Sequence, residues 1–423
     1  MFDSGGMHLW AIATAATVAA ACALTGSFLV VRRMSLLGDA ISHAVLPGIV
    51  LAVLAGGRPG GALVFAGAVA AALVAVGITH LLRTRAGLAE DAGAGVAFTT
   101  LFATGVVLVT AVASRIDLDP GCVLYGILEL VPFDTVPVPL PGPGSVEVPR
   151  AFLTGAAVLA VLSLAVVLCW KELQFTAFDP DAARAAGMPV AAVSVGLLVA
   201  TSLATVASFE AVGAILVVAM LVVPAAAAEL LVRRFHVMVV LAITLGVSGS
   251  ILGYLAAWRW NTNAAGMIAV VLGMEYLLAA LLAPGDGVVA RIVTRESLRW
   301  RVACEDGLAL LWRAEESGVS PSQTPRSWFD QWTLLWLAFR GRVTLGEGGL
   351  LTPQGREEAR VIVRSHRLWE AWLGRNVELP LDHLHPPAEW VEHHLGAAVR
   401  ERIAAEVGGH DADPHGREIP PER

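Results

Sequence analysis

The sequence predicts an all-α polytopic membrane protein that continues into a soluble helical C-terminal part, and three observations carry this fold class. Apolar runs long enough to cross a hydrocarbon layer of roughly 30 Å recur from the N-terminus to about residue 284. Charge is partitioned, because residues 1–290 hold 28 of the 65 Asp, Glu, Lys and Arg residues and the last 133 hold the other 37. In that last part the continuous apolar runs give way to amphipathic stretches with a helical period. The net charge of −7 offers no basic surface for nucleic acid. Cys22, Cys122, Cys169 and Cys304 lack CxxC spacing, which points away from a disulfide framework or a thiolate zinc site and leaves them as small buried apolar residues.

About nine transmembrane helices are expected, near 8–31, 36–56, 59–82, 91–114, 151–170, 190–208, 211–232, 236–258 and 264–284, the second and third least cleanly separated. The start lacks the basic region of a cleavable signal peptide, and its apolar run leads straight to Arg32 and Arg33. Arg32 and Arg33, Arg83 and Arg85, Lys171 and Arg184, and Arg233 and Arg234 all fall on one side, which the positive-inside rule makes cytoplasmic. The N-terminus is then outside and the tail inside. The longest external connection, residues 114–150, contains VPVPLPGPG, which reads as a loop because its prolines and glycines cannot continue a helix. Its LDPGCVLYGILELV segment reads as a short helix on the outer face. Pro47 and Pro224, inside expected spans, should free backbone carbonyls and bend their helices.

The second run, LLGDAISHAVLPGIVLAVLAG over residues 36–56, opens with an acid and an imidazole. On a helix Asp39 and His43 stand at i and i+4, on one face, with β-carbons roughly 6 Å apart. Counting about 1.5 Å per residue from Arg33 puts Asp39 about 9 Å and His43 about 15 Å into the membrane. A carboxylate at such depth costs about 2.5–3.5 kcal/mol, so it needs a partner or a function. The alternative is a helix that starts later, leaving Asp39 as an N-terminal cap in water and His43 as a packed polar residue. Glu275, mid-span in VVLGMEYLLAA, and Glu210, at an outer span end, should face protein or water, as path-lining groups or as hydrogen-bond partners of a neighbouring helix.

Phe178 to Gly187 reads FDPDAARAAG, with Asp179 as N-cap, Pro180 in the first turn and Gly187 as the stop of a short amphipathic helix on the cytoplasmic side. Lys171, within Trp-Lys-Glu, is the single lysine of the sequence, so no GxxxxGK[ST] phosphate loop exists in it and ATP hydrolysis belongs to another subunit.

In the tail, LTPQGREEARVIVRSHRLWEAWL (351–373) and HPPAEWVEHHLGAAVRERI (385–403) read as amphipathic helical stretches rich in metal-donor types. His366 and Glu370 share a face at i, i+4; Glu389, Glu392 and His393 do so at i, i+3, i+4; His385 precedes a Pro386-Pro387 helix start. Seven of the eleven histidines lie in this tail. A solvated polar face and a metal site are both compatible with these spacings.

The run MSLLGDAISHAVLPGIVLA closely resembles the signature of the zinc, manganese and iron permease family of ABC importers. KELQFTAFDPDAARAAGMPV (171–190) and VGAILVVAMLVVPAAAAELL (212–231) are similar to further family segments, and together they cover nearly all of residues 8–284. The resemblance implies that Asp39 and His43 are the pore ligands, and that carboxylate plus imidazole suits manganese, zinc or ferrous iron. It also implies that Phe178 to Gly187 is the coupling helix docking on the ATPase, with Phe178, Asp179, Ala183, Arg184 and Gly187 in its motif. Implied partners are an ABC ATPase, an extracytoplasmic metal-binding protein and a second permease protomer, at the inner (plasma) membrane.

The tail segments resemble the metal-binding and dimerisation domain of the diphtheria toxin repressor and manganese regulator family. That resemblance implies ligands among His366, Glu370 and His385 for one ion, and among His366, Glu389, Glu392 and His393 for another or a merged pair. Glutamate at 389, where iron-sensing members carry cysteine, is the manganese-type choice. The family's winged helix is reduced here. Residues 297–320 look like its first helix, but Pro321 to Gly349 leaves little room for a complete helix-turn-helix, and 17 arginines stand against 20 acids in residues 291–423. Nucleic acid is therefore not expected as a partner. Asp306 is the nearest ligand candidate on the first helix, with Ala309 where a second carboxylate is expected. The expected domains are a permease at 1–286, a linker with a winged-helix remnant at 287–350 and a metal-binding, dimerisation-like domain at 351–423. No tightly bound cofactor is expected beyond divalent metal as substrate and tail ligand. The alternative is a membrane-tethered metal-dependent transcription regulator.

Overall fold

A computed structural model of the chain describes residues 4–34, 44–57, 61–88, 90–112, 128–139, 145–285, 287–318, 328–344, 350–377, 380, 391, 393, 396–408 and 412–421. It separates into two compact units, Met1–Ala290 and Arg291–Arg423.

The first unit contains α1 (Ser4–Val31), α2 (Leu46–Leu54), α3 (Ala62–Ala86), α4 (Glu90–Val112), β1 (Thr135–Pro139), β2 (Ser145–Pro149), α5 (Arg150–Leu168), α6 (Trp170–Phe178), α7 (Pro180–Ala185), α8 (Val190–Leu231), α9 (Phe235–Trp260) and α10 (Ala264–Leu282). Among the described residues, eight stretches are long and apolar enough to cross a membrane: α1, α3, α4, α5, the two halves of α8, α9 and α10. The expected span 36–56 is described only from Ala44, and its helix α2 runs nine residues. Pro47 lies in the first turn of α2, where its missing N–H has no helical partner to lose. Pro224 does lie inside α8.

Helix α1 forms the centre of this unit. Its membrane window is 78% buried, against 22% for α5 and 17% for α10. With no hydrophobic drive between helices in lipid, small residues allow the close backbone approach that packing needs. Gly26 shows the limit: a β-carbon there would lie 1.8 Å from the Leu221 carbonyl oxygen of α8. The expected spans 190–208 and 211–232 follow one another without a loop. The helix breaks at Gly213 (φ 76°, ψ 166°), a conformation essentially confined to glycine. Helices α9 and α10 also meet closely, since a β-carbon on Gly253 would lie 2.4 Å from Ile268 Cα. Across the same interface the Ser248 hydroxyl donates to Glu275 Oε1 at 3.1 Å, so Glu275 bonds a neighbouring helix.

The run expected as a loop is partly an antiparallel ribbon instead. Val136 pairs with Val148 and Val138 with Val146, while Pro137, Pro139 and Pro149 take the alternate positions. Asp134 and Arg150, in phase with the valine pairs, are joined by Arg150 N–H donating to the Asp134 carbonyl at 2.9 Å. The prolines therefore occupy non-hydrogen-bonded sites, where the ladder asks for no N–H. Of the expected outer helix, residues 128–131 fall in a 3₁₀ helix, Leu128–Phe133, and the rest lies outside the described residues.

The second unit carries most of α11 (Val288–Ser317), then α12 (Trp328–Phe339), β3 (Val343–Thr344), β4 (Leu350–Leu351), α13 (Pro353–Asn376) and α14 (Ala397–Val407). Thr352 caps α13 by accepting from Gly355 N–H at 3.1 Å, with Pro353 in the first turn. Leu308, Leu311, Leu337, Val343, Leu351 and Ala359 form one core, and Leu368, Ala371, Ile403, Val407 and Ile419 a second. Among the described residues a single helix, α12, lies between α11 and the two-residue strands of the β3–β4 ribbon. The described residues of this unit are mostly helical. Arg367 of α13, almost wholly buried, holds it together: its Nη1 donates to Glu316 Oε1 at 3.1 Å and its Nη2 to Oε2 at 2.5 Å.

Candidate functional site

Asp39 and His43 lie outside the described residues, but both flanks of their segment are fixed. Helix α1 ends at Val31, and Met34 N–H still bonds the Leu29 carbonyl at 2.9 Å. On the far side Ala44 and Val45 are buried. On the near flank, Arg32 extends a guanidinium whose Nη1 donates to Ser194 Oγ at 3.1 Å and whose Nη2 donates to Thr176 Oγ1 at 2.8 Å.

Those two partners bracket α7. The Asp179 carboxylate caps it, accepting from Asp181 N–H at 3.1 Å and Ala182 N–H at 2.9 Å. Pro180 opens it, and Gly187 follows its end at φ 80°, with Met188 N–H bonded to the Ala183 carbonyl at 3.0 Å. Of the five motif residues, Phe178 is exposed, while Ala183 is fully buried and packs inward rather than toward a partner. Arg184 pairs with Asp181 and lines, with Thr79, His80, Arg83 and Ser194, a cavity of about 220 Å³. The side chain of Glu210 lies outside the described residues.

In the tail, His366 Nε2 stands 3.2 Å from Glu370 Oε1, and both side chains are at most 4% exposed. His393 Nδ1 is 2.6 Å from Glu305 Oε2, and its Nε2 is 3.1 Å from Asp306 Oδ1. Sequence reasoning named Asp306 and missed Glu305; the adjacent acid pair Glu305-Asp306 was the available signal. His385, Glu389 and Glu392 lie outside the described residues, and among the described ones no three His, Cys, Asp or Glu side chains are arranged to hold a metal ion. The donors present are imidazole and carboxylate, which fits manganese, ferrous iron or zinc. Beside them, burial and then the Glu305 carboxylate hold the Cys304 thiol above its ordinary range, against the lowering effect of Arg340. At Glu316 burial pushes the carboxyl up. Hydrogen bonds from Arg367 and Trp312, with the charges of Arg367 and Arg417, outweigh this and hold it below the usual carboxylate value.

Comparison with known proteins joins these two units to two families. Residues 352–421 match the iron dependent repressor, metal binding and dimerisation domain. Residues 6–134 and 147–283 match the ABC 3 transport family. The manganese transport system membrane protein MntD of Bacillus subtilis (strain 168) is 41% identical over 283 residues, covering 67% of this chain and 94% of the relative. The zinc transport system membrane protein TroD of Treponema pallidum (strain Nichols) is 36% identical over 293 residues, covering 69% and 78%. Among solved structures, PsaBC from Streptococcus pneumoniae in complex with Fab is similar with a TM-score of 0.55 and 29% identity, covering 66% of this chain and 92% of that one. With both matched segments in the helical first unit and with these relatives, the chain belongs to the ABC 3 transport family, as a multi-pass membrane permease carrying a repressor-type C-terminal domain.

Proposed function

We propose that the chain is the permease subunit of an ATP-driven importer of divalent transition metal, manganese before zinc or iron, and that its tail senses cytoplasmic metal. The observation that carries this is the 41% identity to a manganese transport membrane protein over 94% of that relative's length. In this reading Asp39 and His43 hold the ion in transit, and α7 with Phe178 and Gly187 docks on an ABC ATPase. An extracytoplasmic protein delivers the metal, a second permease protomer completes the pore, and the C-terminus is cytoplasmic in the inner membrane. The absence of a phosphate loop from this sequence supports a separate ATPase. In the tail, His366 with Glu370, and His393 with Asp306, are the donors that would receive manganese, joined by His385, Glu389 and Glu392. Saturating it would favour one tail arrangement and feed back on import. The repressor-domain match also supports a membrane-tethered regulator, but the single helix described between α11 and the β3–β4 ribbon and the excess of acids over arginines favour the transporter.

The test is uptake of radiolabelled manganese, with zinc and iron as competitors. Asp39→Ala and His43→Ala should each abolish uptake while leaving the protein in the membrane and bound to the ATPase. Normal uptake by both variants would remove them from the metal path.

A further inference from the structure

We propose that Arg32 is a positioning residue that locks the end of α1 to the two elements on either side of the coupling helix, an inference that rests on the reading of α7 as the ATPase dock and of Asp39 and His43 as the metal ligands. Arg32 is the first residue after α1, and Asp39 follows seven positions later. Its Thr176 bond lies three residues before the Asp179 cap of α7, and its Ser194 bond lies in the first turns of α8, just beyond α7. The buried Thr176 hydroxyl donates to the Glu172 carbonyl at 2.7 Å, which turns its lone pairs toward the guanidinium. A planar fork that reaches two elements at once fixes their rotation as well as their separation.

An aromatic cluster supports the same junction. Phe28 of α1 lies edge-on to Phe235 at 5.1 Å and to Trp170 at 6.1 Å. Trp170 stacks on Phe235 at 5.5 Å, and Phe178 meets Phe235 edge-on at 5.4 Å. Both ends of α6, which leads into α7, are thus seated against one buried platform. Apolar contact is non-directional and permits sliding. The Arg32 fork supplies direction, so that a displacement of α7 and its flanking elements turns the end of α1.

The experiment uses the full chain co-purified with its ATPase and binding protein, reconstituted in vesicles and assayed with manganese. Arg32→Ala, and separately Thr176→Val with Ser194→Ala, should keep ATPase association and basal hydrolysis within twofold. Manganese uptake should fall at least tenfold, so that ATP consumed per ion rises at least tenfold. Arg32→Lys, keeping the charge and losing the fork, should fall between. The triple variant should be no worse than Arg32→Ala, as expected of groups acting through one contact. Uptake within twofold of wild type in both variants overturns the proposal, and so does a loss of uptake matched by lost association or hydrolysis, which marks a merely structural role. Gly187→Trp serves as reference. If it retains the ATPase, the docking reading fails and the proposal with it; if it loses the ATPase while the Arg32 variants stay coupled, only the lock fails.

Discussion

Replacing Gly26 by alanine tests whether α1 and α8 are held in backbone contact. The added β-carbon would stand 1.8 Å from the Leu221 carbonyl oxygen, 2.7 Å from its carbonyl carbon and 3.3 Å from its Cα. All three atoms are backbone, so no rotamer change relieves the clash, and the helices must part. A gap of 0.5–1 Å forfeits about a quarter to a half of each atom pair's ~0.1–0.2 kcal/mol, and a buried leucine makes roughly 40–60 such pairs. Leu221 alone then loses about 2–4 kcal/mol, at or above the ~1–3 kcal/mol usual for overpacking. For a unit of this size about 3 kcal/mol corresponds to a melting temperature lower by roughly 6–10 °C. Gly155→Ala is the matched control. It faces α1 from α5 with Val18 Cγ2 at 3.5 Å, ordinary contact, and gains about 0.5–1 kcal/mol of helix propensity. The assay is thermal unfolding of purified protein in detergent, followed by size-exclusion recovery. A Gly26→Ala protein that melts with the wild type, or a Gly155→Ala protein that falls as far, would refute the reasoning.

Gly187→Trp should abolish co-purification with the ATPase without lowering the melting temperature by more than a few degrees, because nothing lies within 4 Å of its β-position and only the φ of 80° is strained; intact co-purification sinks the docking role. Manganese at a hundredfold excess over its dissociation constant should stabilise the tail by about 2.7 kcal/mol, read as protection of residues 291–423 of the full chain from proteolysis. His366→Ala with His393→Ala should erase that protection, and a wild-type tail indifferent to manganese contradicts the sensor. For Glu316 the folded pKa lies below the ordinary 4.5, so its contribution is complete above that value and lost as pH falls through the folded one. Glu316→Gln should therefore weaken the tail at neutral pH and flatten its acid unfolding below about pH 4.5; superimposable acid limbs would show that the Arg367 pair does not carry this dependence.

Hydropathy made the membrane unit legible because a lipid-embedded backbone must bond within its own helix, and the long apolar runs accordingly appear as helices. Cap chemistry made α7 legible to the residue, since Asp179, Pro180 and Gly187 each act locally. Local readings failed where an interaction was non-local. Proline in VPVPLPGPG speaks against a helix, but only the pairing partner reveals that Pro137 and Pro139 fall on the unbonded side of a ribbon. The inward packing of Ala183 and the approach of Glu305 to His393 depend on elements far away in the chain. Helical spacing did bring His366 to Glu370, as i, i+4 geometry requires. The same spacing at Asp39 and His43 falls on residues outside the described ones.

The proline ribbon also restricts how any other protein can meet that surface. A free strand edge ordinarily invites an incoming strand through its unpaired N–H groups. On β1 two of the three outward-facing positions, Pro137 and Pro139, have no N–H to offer, and Pro149 silences one end of β2. Strand addition is therefore closed along β1. A partner arriving there must recognise Thr135, Glu147 and the flanks of the valines, so its selectivity is written in side chains, and an unfolded or aggregating chain finds no template along β1.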